Sequence, residues 1–323
     1  MIVKGPQNLA ETAPAADHAR SAQATDFPHL AALENEAIFI FREAVAEAHN
    51  PVLLFSAGKD STVLAHLALR AFHPARPPFP LLHVDSTWEF RSLIAFRDAF
   101  ARRHGFQLIV RANEEGRAAG INPFDHGERY THSMRTEPLK RALDEGQYDV
   151  IFGGARRDEE ASRAKERVVS VRNANHAWDP RQQRPELWQL YNMRLAHGQS
   201  ARVFPLSNWT EADVLAYALV HQIELAPLYF SAPRPVVERN GVLIVVDEES
   251  RMRWQTSDDV QVRNVRFRTL GCWPVTGAIV SEAAALDAVL QETLGSGSSE
   301  RNGRLGDGEE GGSLEKKKRE GYF

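Results

Sequence analysis

Bare apolar runs alternate with helical apolar stripes along the first two-thirds of this chain, and few architectures accept that pattern. Val52–Phe55, Leu108–Val110 and Val150–Phe152 are unbroken apolar runs, and Leu81–Val84 is interrupted only by His83. A run with no polar alternation predicts a strand covered on both faces. Between the runs, apolar residues recur at helical spacing. Leu33 to Ala48 carries Ile38, Phe41 and Val45, and Pro51 ends it; a second stripe uses Val63, Leu64, Leu67 and Ala71; a third uses Phe90, Leu93, Ile94 and Phe100. Thr136 to Asp144 reads as a further helix and Val203 to Leu206 as a fifth strand. Thr210-Glu-Ala-Asp213 reads as a capping box before a helix from Val214 to His221. Strands alternating with helices predict an α/β fold, a doubly wound and mostly parallel sheet. In such sheets ligands bind beyond the carboxyl ends of the strands.

The pattern changes after Leu228. Val236 to Val246 reads as a hairpin turning at Asn240-Gly241, and Ala283 to Leu294 as a final helix. The expected organisation is a disordered, alanine-rich leader over 1–32, an α/β domain over 33–230, and a C-terminal extension over 231–323 with hairpin, helix and flexible tail. The Lys- and Arg-rich end closes on Tyr322-Phe323, an aromatic terminus left open between docking and solvation.

Charge and cysteine usage exclude several functions. The 39 basic and 43 acidic residues leave a net charge of −4, so no global basic field for nucleic acid exists. One cysteine, Cys272, rules out an intramolecular disulfide and any cluster needing several thiolates from this chain. No apolar run approaches the ~20 residues of a membrane span, and the N-terminus lacks a signal-peptide core. A cytoplasmic setting is the expectation.

The chemistry begins where the first strand ends, at Ser56-Ala57-Gly58-Lys59-Asp60-Ser61. Small residues let the backbone approach a ligand, and backbone N–H groups at a helix start attract phosphate oxygens. The spacing is not that of a Walker A loop, because Leu53 stands where its first glycine belongs. An ordinary strand-to-helix turn is the plain alternative. The second strand ends in Asp85-Ser86-Thr87, which suits either a metal–nucleotide contact or a helix N-cap. The fourth runs into Gly153-Gly154-Ala155-Arg156-Arg157 and continues through Arg163 to Arg167. Guanidinium forks suit tetrahedral oxyanions; the alternative is a solvated helix face with pairs such as Glu159–Arg163. His83, His126 and His132 show no ligand spacing and receive no role.

The first of these segments resembles the PP-loop of the ATP pyrophosphatase superfamily, with Ala57 in place of its first glycine. We expect that position to take an ordinary φ and to accommodate the methyl group. Together the motifs resemble the small, ATP-binding subunit of bacterial heterodimeric sulfate adenylyltransferases, in the phosphoadenosine phosphosulfate reductase-like branch. Further matching stretches include Gly120-Ile-Asn-Pro-Phe124, Arg202-Val-Phe-Pro-Leu-Ser-Asn-Trp-Thr-Glu211, Val265 to Pro274, Ser299-Glu-Arg301 and Lys317 to Phe323. The resemblance implies an adenine nucleotide α-hydrolase-like fold and the reaction of sulfate with ATP to adenosine 5′-phosphosulfate and pyrophosphate. It also implies ATP with Mg2+ as substrate and a larger GTPase subunit as partner, whose GTP hydrolysis drives an uphill step. No dedicated protein metal site is expected. Ser56, Ala57, Gly58, Lys59, Asp60 and Ser61 would then face the β- and γ-phosphates, and Asp85 and Thr87 the nucleotide or its metal. Arg156, Arg157 and Arg163 would hold sulfate and the α-phosphate, with Lys59 among the catalytic groups. Two rival readings are a phosphoadenosine phosphosulfate reductase, which needs a nucleophilic cysteine near the C-terminus, and a non-catalytic scaffold for the GTPase.

Overall fold

The computed structural model describes residues 27–254 and 260–296. Helix α1 spans Pro28–Glu47 and leads into strand β1, Pro51–Leu54. Then follow α2 (Lys59–Phe72), β2 (Leu81–Asp85), α3 (Arg91–His104), β3 (Leu108–Ala112), α4 (Glu114–Ala118) and α5 (Pro123–Thr131). A π-helical turn, His132–Thr136, joins α5 to α6 (Glu137–Gly146), which precedes β4 (Val150–Phe152). After α7 (Ala161–Ala164) come β5 (Val169–Arg172), β6 (Ser200–Val203) and α8 (Glu211–Val220). The C-terminal part holds β7 (Ala232–Arg239), β8 (Val242–Val245), β9 (Gln261–Arg266), β10 (Gly277–Val280) and α9 (Leu286–Gly295).

Six strands form one sheet in the order β3-β2-β1-β4-β6-β5. All neighbours are parallel except β5, which runs antiparallel to β6. The bare apolar runs now have their reason. Successive side chains of a strand point to opposite faces. Leu53, Phe152 and Leu81 enter the main core with Phe41 of α1 and Leu64 and Leu67 of α2. Val52, Ile151 and Leu82 instead meet Leu139, Ala142 and Leu143 of α6. Both faces are covered, so a polar residue at any of these positions would lose roughly 1.5–3 kcal/mol of burial. The Phe41 and Phe152 rings lie 4.6 Å apart. At α8 the capping box is complete: Thr210 Oγ1 accepts from the Asp213 N–H at 3.1 Å, and Asp213 accepts from the Thr210 N–H at 2.8 Å.

Several local expectations differ from the structure. Helix α1 starts at Pro28, inside the segment expected to be a disordered leader, and Leu30 is already buried. The fifth expected strand is shifted to Ser200–Val203. An unexpected antiparallel strand, Val169–Arg172, lies beside it, because Phe204 donates its N–H to the Val168 carbonyl and Pro205 stops the ladder. The hairpin turns at Asn240 (φ 51°) and Gly241 (φ 76°) as read, but it belongs to a closed four-stranded antiparallel barrel, β10-β8-β7-β9. The final helix begins at Leu286, three residues late. Ser299 to Arg301 and the aromatic terminus lie outside the described residues.

Candidate active site

Strand order reverses at β1, whose neighbours are β2 on one side and β4 on the other. The crevice between the carboxyl ends of β1 and β4 is therefore the expected ligand position of this fold. A cavity of about 260 Å3 opens there. Ser56, Gly58, Lys59, Asp60 and Ser61 line it from β1 and α2, Gly154, Ala155, Glu159 and Arg163 from the segment after β4, and Thr269, Leu270 and Gly271 from the C-terminal part. Helix α2 starts at Lys59, so its N-terminus opens on this cavity, which favours bound anions.

The loop is tightly built. The Ser56 and Ser61 hydroxyls are 3.1 Å apart, and Ser61 Oγ donates to the Gly58 carbonyl at 3.1 Å. Tyr229 reaches in from the far end of the α/β unit, its hydroxyl accepting the Lys59 N–H at 2.8 Å. A Cβ on Gly58 would lie 3.2 Å from that hydroxyl, and one on Gly154 would lie 3.3 Å from the Asp60 backbone. The loop after β4 thus presses against the phosphate loop only because it carries no side chain there. Ala57 overturns one expectation: it is fully buried at φ 60°, in the left-handed region. The methyl group fits, but the backbone is strained by about 1–2 kcal/mol relative to a right-handed conformation.

Lys59 does not simply point at solvent. It is 1% exposed, donates from Nζ to the Arg268 carbonyl at 3.0 Å, and lies 3.5 Å from Asp60 and 3.6 Å from Glu211. Arg268 in turn donates to Glu211 at 2.6 Å. Asp60 also accepts from Arg156 Nε at 2.7 Å. Burial works to raise the Asp60 pKa, but Arg156 and Lys59 outweigh it and hold the carboxyl below its ordinary range. Asp60 is therefore an anion at neutral pH, fixed between two cations.

The three expected arginines separate. Arg163 lines the cavity. Arg156 lies behind it, 1% exposed, braced on Asp60 and 3.5 Å from Asp158. Arg157 lies off this cavity wall and turns toward the surface, where it bonds Asn208 and lies 3.8 Å from Glu186. Asp85 and Thr87 also lie off this wall. Asp85 accepts the Thr87 N–H at 2.7 Å and holds Thr87 at φ 70°. Both line a neighbouring cleft of about 620 Å3 with Trp88, Arg117, Asn122 and Arg251. The two clefts share Glu89.

Sequence reasoning missed that shared wall. Glu89 accepts from the Ser86 hydroxyl and lies 3.7 Å from Arg135. Burial pushes its pKa up, against the pull of Arg135. Arg135 donates to Cys272 Sγ at 3.0 Å, and Tyr130 Oη is 2.8 Å from the same sulfur. Cys272 is 3% exposed and lies outside the cavity lining, which is not the setting of an attacking thiol. Tyr229, Arg135 and residues 268–271 come from distant parts of the chain, and only the fold brings them to β1. Among the described residues no group of three or more His, Cys, Asp or Glu is placed to hold a metal, and no helix is long and apolar enough to cross a membrane.

Residues 50–278 match the phosphoadenosine phosphosulfate reductase domain family. Sulfate adenylyltransferase subunit 2 of Acinetobacter baumannii (strain AYE) is 61% identical over 296 residues, 91% of this chain and 97% of the relative. That of Brucella abortus (strain 2308) is 58% identical, covering 91% of this chain and 98% of the relative. Among solved structures, Candida glabrata FMN adenylyltransferase in complex with ATP is 14% identical, with a TM-score of 0.48 over 86% of this chain and 88% of that one. The chain belongs to the sulfate adenylyltransferase subunit 2 family, within the phosphoadenosine phosphosulfate reductase domain family.

Proposed function

We propose that this chain is a nucleotidyltransferase that joins sulfate to the adenylyl group of ATP and releases pyrophosphate. The observation that carries the reading is the meeting of the phosphate loop at the α2 N-terminus with Arg163 in one cavity, in a chain 61% identical to a sulfate adenylyltransferase subunit 2.

Sulfate carries no proton at neutral pH, so the nucleophile needs no general base. Two anions must be brought together and the developing charge neutralised. Positioning and electrostatic stabilisation then supply the catalysis. A sulfate oxygen forms the new bond to the α-phosphorus, the bond from the α-phosphorus to the bridging oxygen breaks, and its electron pair leaves on pyrophosphate. The α2 N-terminus, Ser56, Gly58 and Ser61 bind the β- and γ-phosphates and hold the leaving group. Arg163 faces the α-phosphate and sulfate. Lys59 and Arg156 act through Asp60, which they fix in place and in charge. A magnesium ion arriving with the nucleotide would supply further neutralisation of the phosphate charge. Asp60 and Ser61 are the groups that would hold it, matching a cation that uses one or two protein oxygens and keeps substrate ligands. Asp85 and Thr87 shape the adjoining cleft rather than the phosphate site.

The relatives' designation as subunit 2 supports a partner chain, and the resemblance described above makes that partner a GTPase. The test is purification with the large subunit, then measurement of sulfate-dependent pyrophosphate formation with and without GTP. Sulfate-dependent exchange between pyrophosphate and ATP is the expected result. Its absence in a complete complex refutes the catalytic reading and leaves the scaffold.

A further inference from the structure

Outside the cavity, the antiparallel edge of the sheet conceals an unusual group of charges. Register pairs Ser170 with Arg202 and Arg172 with Ser200, so these four side chains rise from one face of the β5–β6 pair. All are buried, and Arg202 is fully enclosed. Arg172 donates to Ser170 and to Glu166, both at 2.5 Å, and Glu166 also accepts from Ser170 at 3.0 Å. Arg163 approaches Glu166 to 3.6 Å and, on its cavity side, Glu159 to 4.0 Å. Arg202 has no such arrangement. None of its three nitrogens meets an acceptor among the described residues, and neither does Arg172 Nε or Ser200 Oγ.

A buried guanidinium is always charged and is costly to bury without an anion. Arg163 and Arg172 both approach the one enclosed carboxylate, Glu166, while Arg202 lies beside them without reaching it. Burial first, and then the neighbouring Arg172, push the Arg202 pKa down to about 9, against the pull of Glu166. We infer that the Arg172–Arg202 face of β5 and β6 is an internal binding site for a tetrahedral oxyanion of the sulfate or phosphate class, distinct from the substrate position in the cavity. Guanidinium forks match the paired oxygens of such an ion, and Ser200 supplies a hydroxyl donor. The ion would tie the edge strand β5 to β6. The inference goes beyond the proposed reaction and does not require it.

The experiment uses the full chain and Arg202→Met, an apolar side chain of similar length. In wild type, sulfate is expected to raise Tm by about 2–4 °C over sodium chloride of equal ionic strength. In R202M most of that rise is lost, and phosphate set beside sulfate shows which ion the site prefers. Sulfate held in the cavity acts on both proteins, so the difference between them reads the internal site alone. Equal rises in the two proteins, or no rise in wild type, overturn the inference. Wild-type crystals grown with selenate decide independently of how well R202M folds. An anomalous selenium peak within hydrogen-bond reach of Arg202 supports the site. Water alone beside Arg202, or selenium only in the cavity, overturns it; the second result leaves the proposed reaction standing.

Discussion

Removing Asp60 should expose how the phosphate loop is held. Arg156 is 1% exposed and donates to Asp60 at 2.7 Å, while Lys59, equally buried, lies 3.5 Å away. Breaking a buried ion pair from one side costs about 3–5 kcal/mol, because the surviving charge is left unpaired. The Asp60 side chain is 27% exposed, so water will reach part of the gap, and we expect Asp60→Ala to cost about 2–3 kcal/mol. Lys59 keeps Glu211 at 3.6 Å and Arg156 keeps Asp158 at 3.5 Å, but Arg156 loses the shorter contact, at 2.7 Å, so most of the loss should come from Arg156. Arg156→Met in the same chain removes the cation that loses this contact. The double variant should then be more stable than the sum of the two single effects by about 2 kcal/mol. Equilibrium urea unfolding of the four proteins measures this directly. Additivity within about 0.5 kcal/mol would show that Asp60 and Arg156 do not share their charge, and the account of the loop as a clamped anion would be wrong.

Three further outcomes are expected. Arg163→Ala should lower pyrophosphate formation by at least about tenfold, from the roughly 2–5 kcal/mol that truncating a buried charged partner costs, and Arg157→Ala by less; the reverse order would return Arg157 to the site. Burial, aided by Arg97, lowers the His83 pKa from 6.5 to about 4, so the folded chain resists protonation while the unfolded chain accepts it. Stability should fall as pH drops from about 6.5 to about 4, by about 2 kcal/mol at pH 5 from this residue, and urea midpoints of His83→Gln should show a flatter decline. Cys272→Ser should retain sulfate-dependent pyrophosphate formation, since Cys272 lies outside the cavity lining; complete loss with the fold intact would revive a thiol mechanism.

Local signals found the frame of this protein and long-range ones escaped. Val52–Phe55 and Val150–Phe152 announced central strands because both of their faces are covered, and Asn240-Gly241 and the Thr210 capping box act within a few residues. The β5 strand reads Val-Ser-Val-Arg, and its polar positions are buried against other polar groups, so no apolar pattern betrays it. Strand β9, Gln-Val-Arg-Asn-Val-Arg, escapes for another reason: its first four residues are exposed or half-buried and only Val265 and Arg266 are buried. At the site, Ser56 to Ser61 were readable from composition and order. Arg156, Arg157 and Arg163 were not separable, because charge patterning does not say which way a short irregular segment turns each side chain. The strain at Ala57 was also hidden, since alanine seldom marks a left-handed turn. Tyr229 lies in no motif, and Arg268 lies in the matching stretch Val265 to Pro274 without a role assigned to it; their importance comes from 170- and 209-residue separations closed by the fold.

Those two contacts make the phosphate loop a joint property of both ends of the chain. Tyr229 and the Arg268 carbonyl hold the first residue of α2 by its N–H and its ammonium. A nucleotide pressing on α2 therefore pushes on the segment leading into β7 and on the turn after β9. Grafting the α/β unit alone onto another scaffold would carry over the motif but lose its anchor.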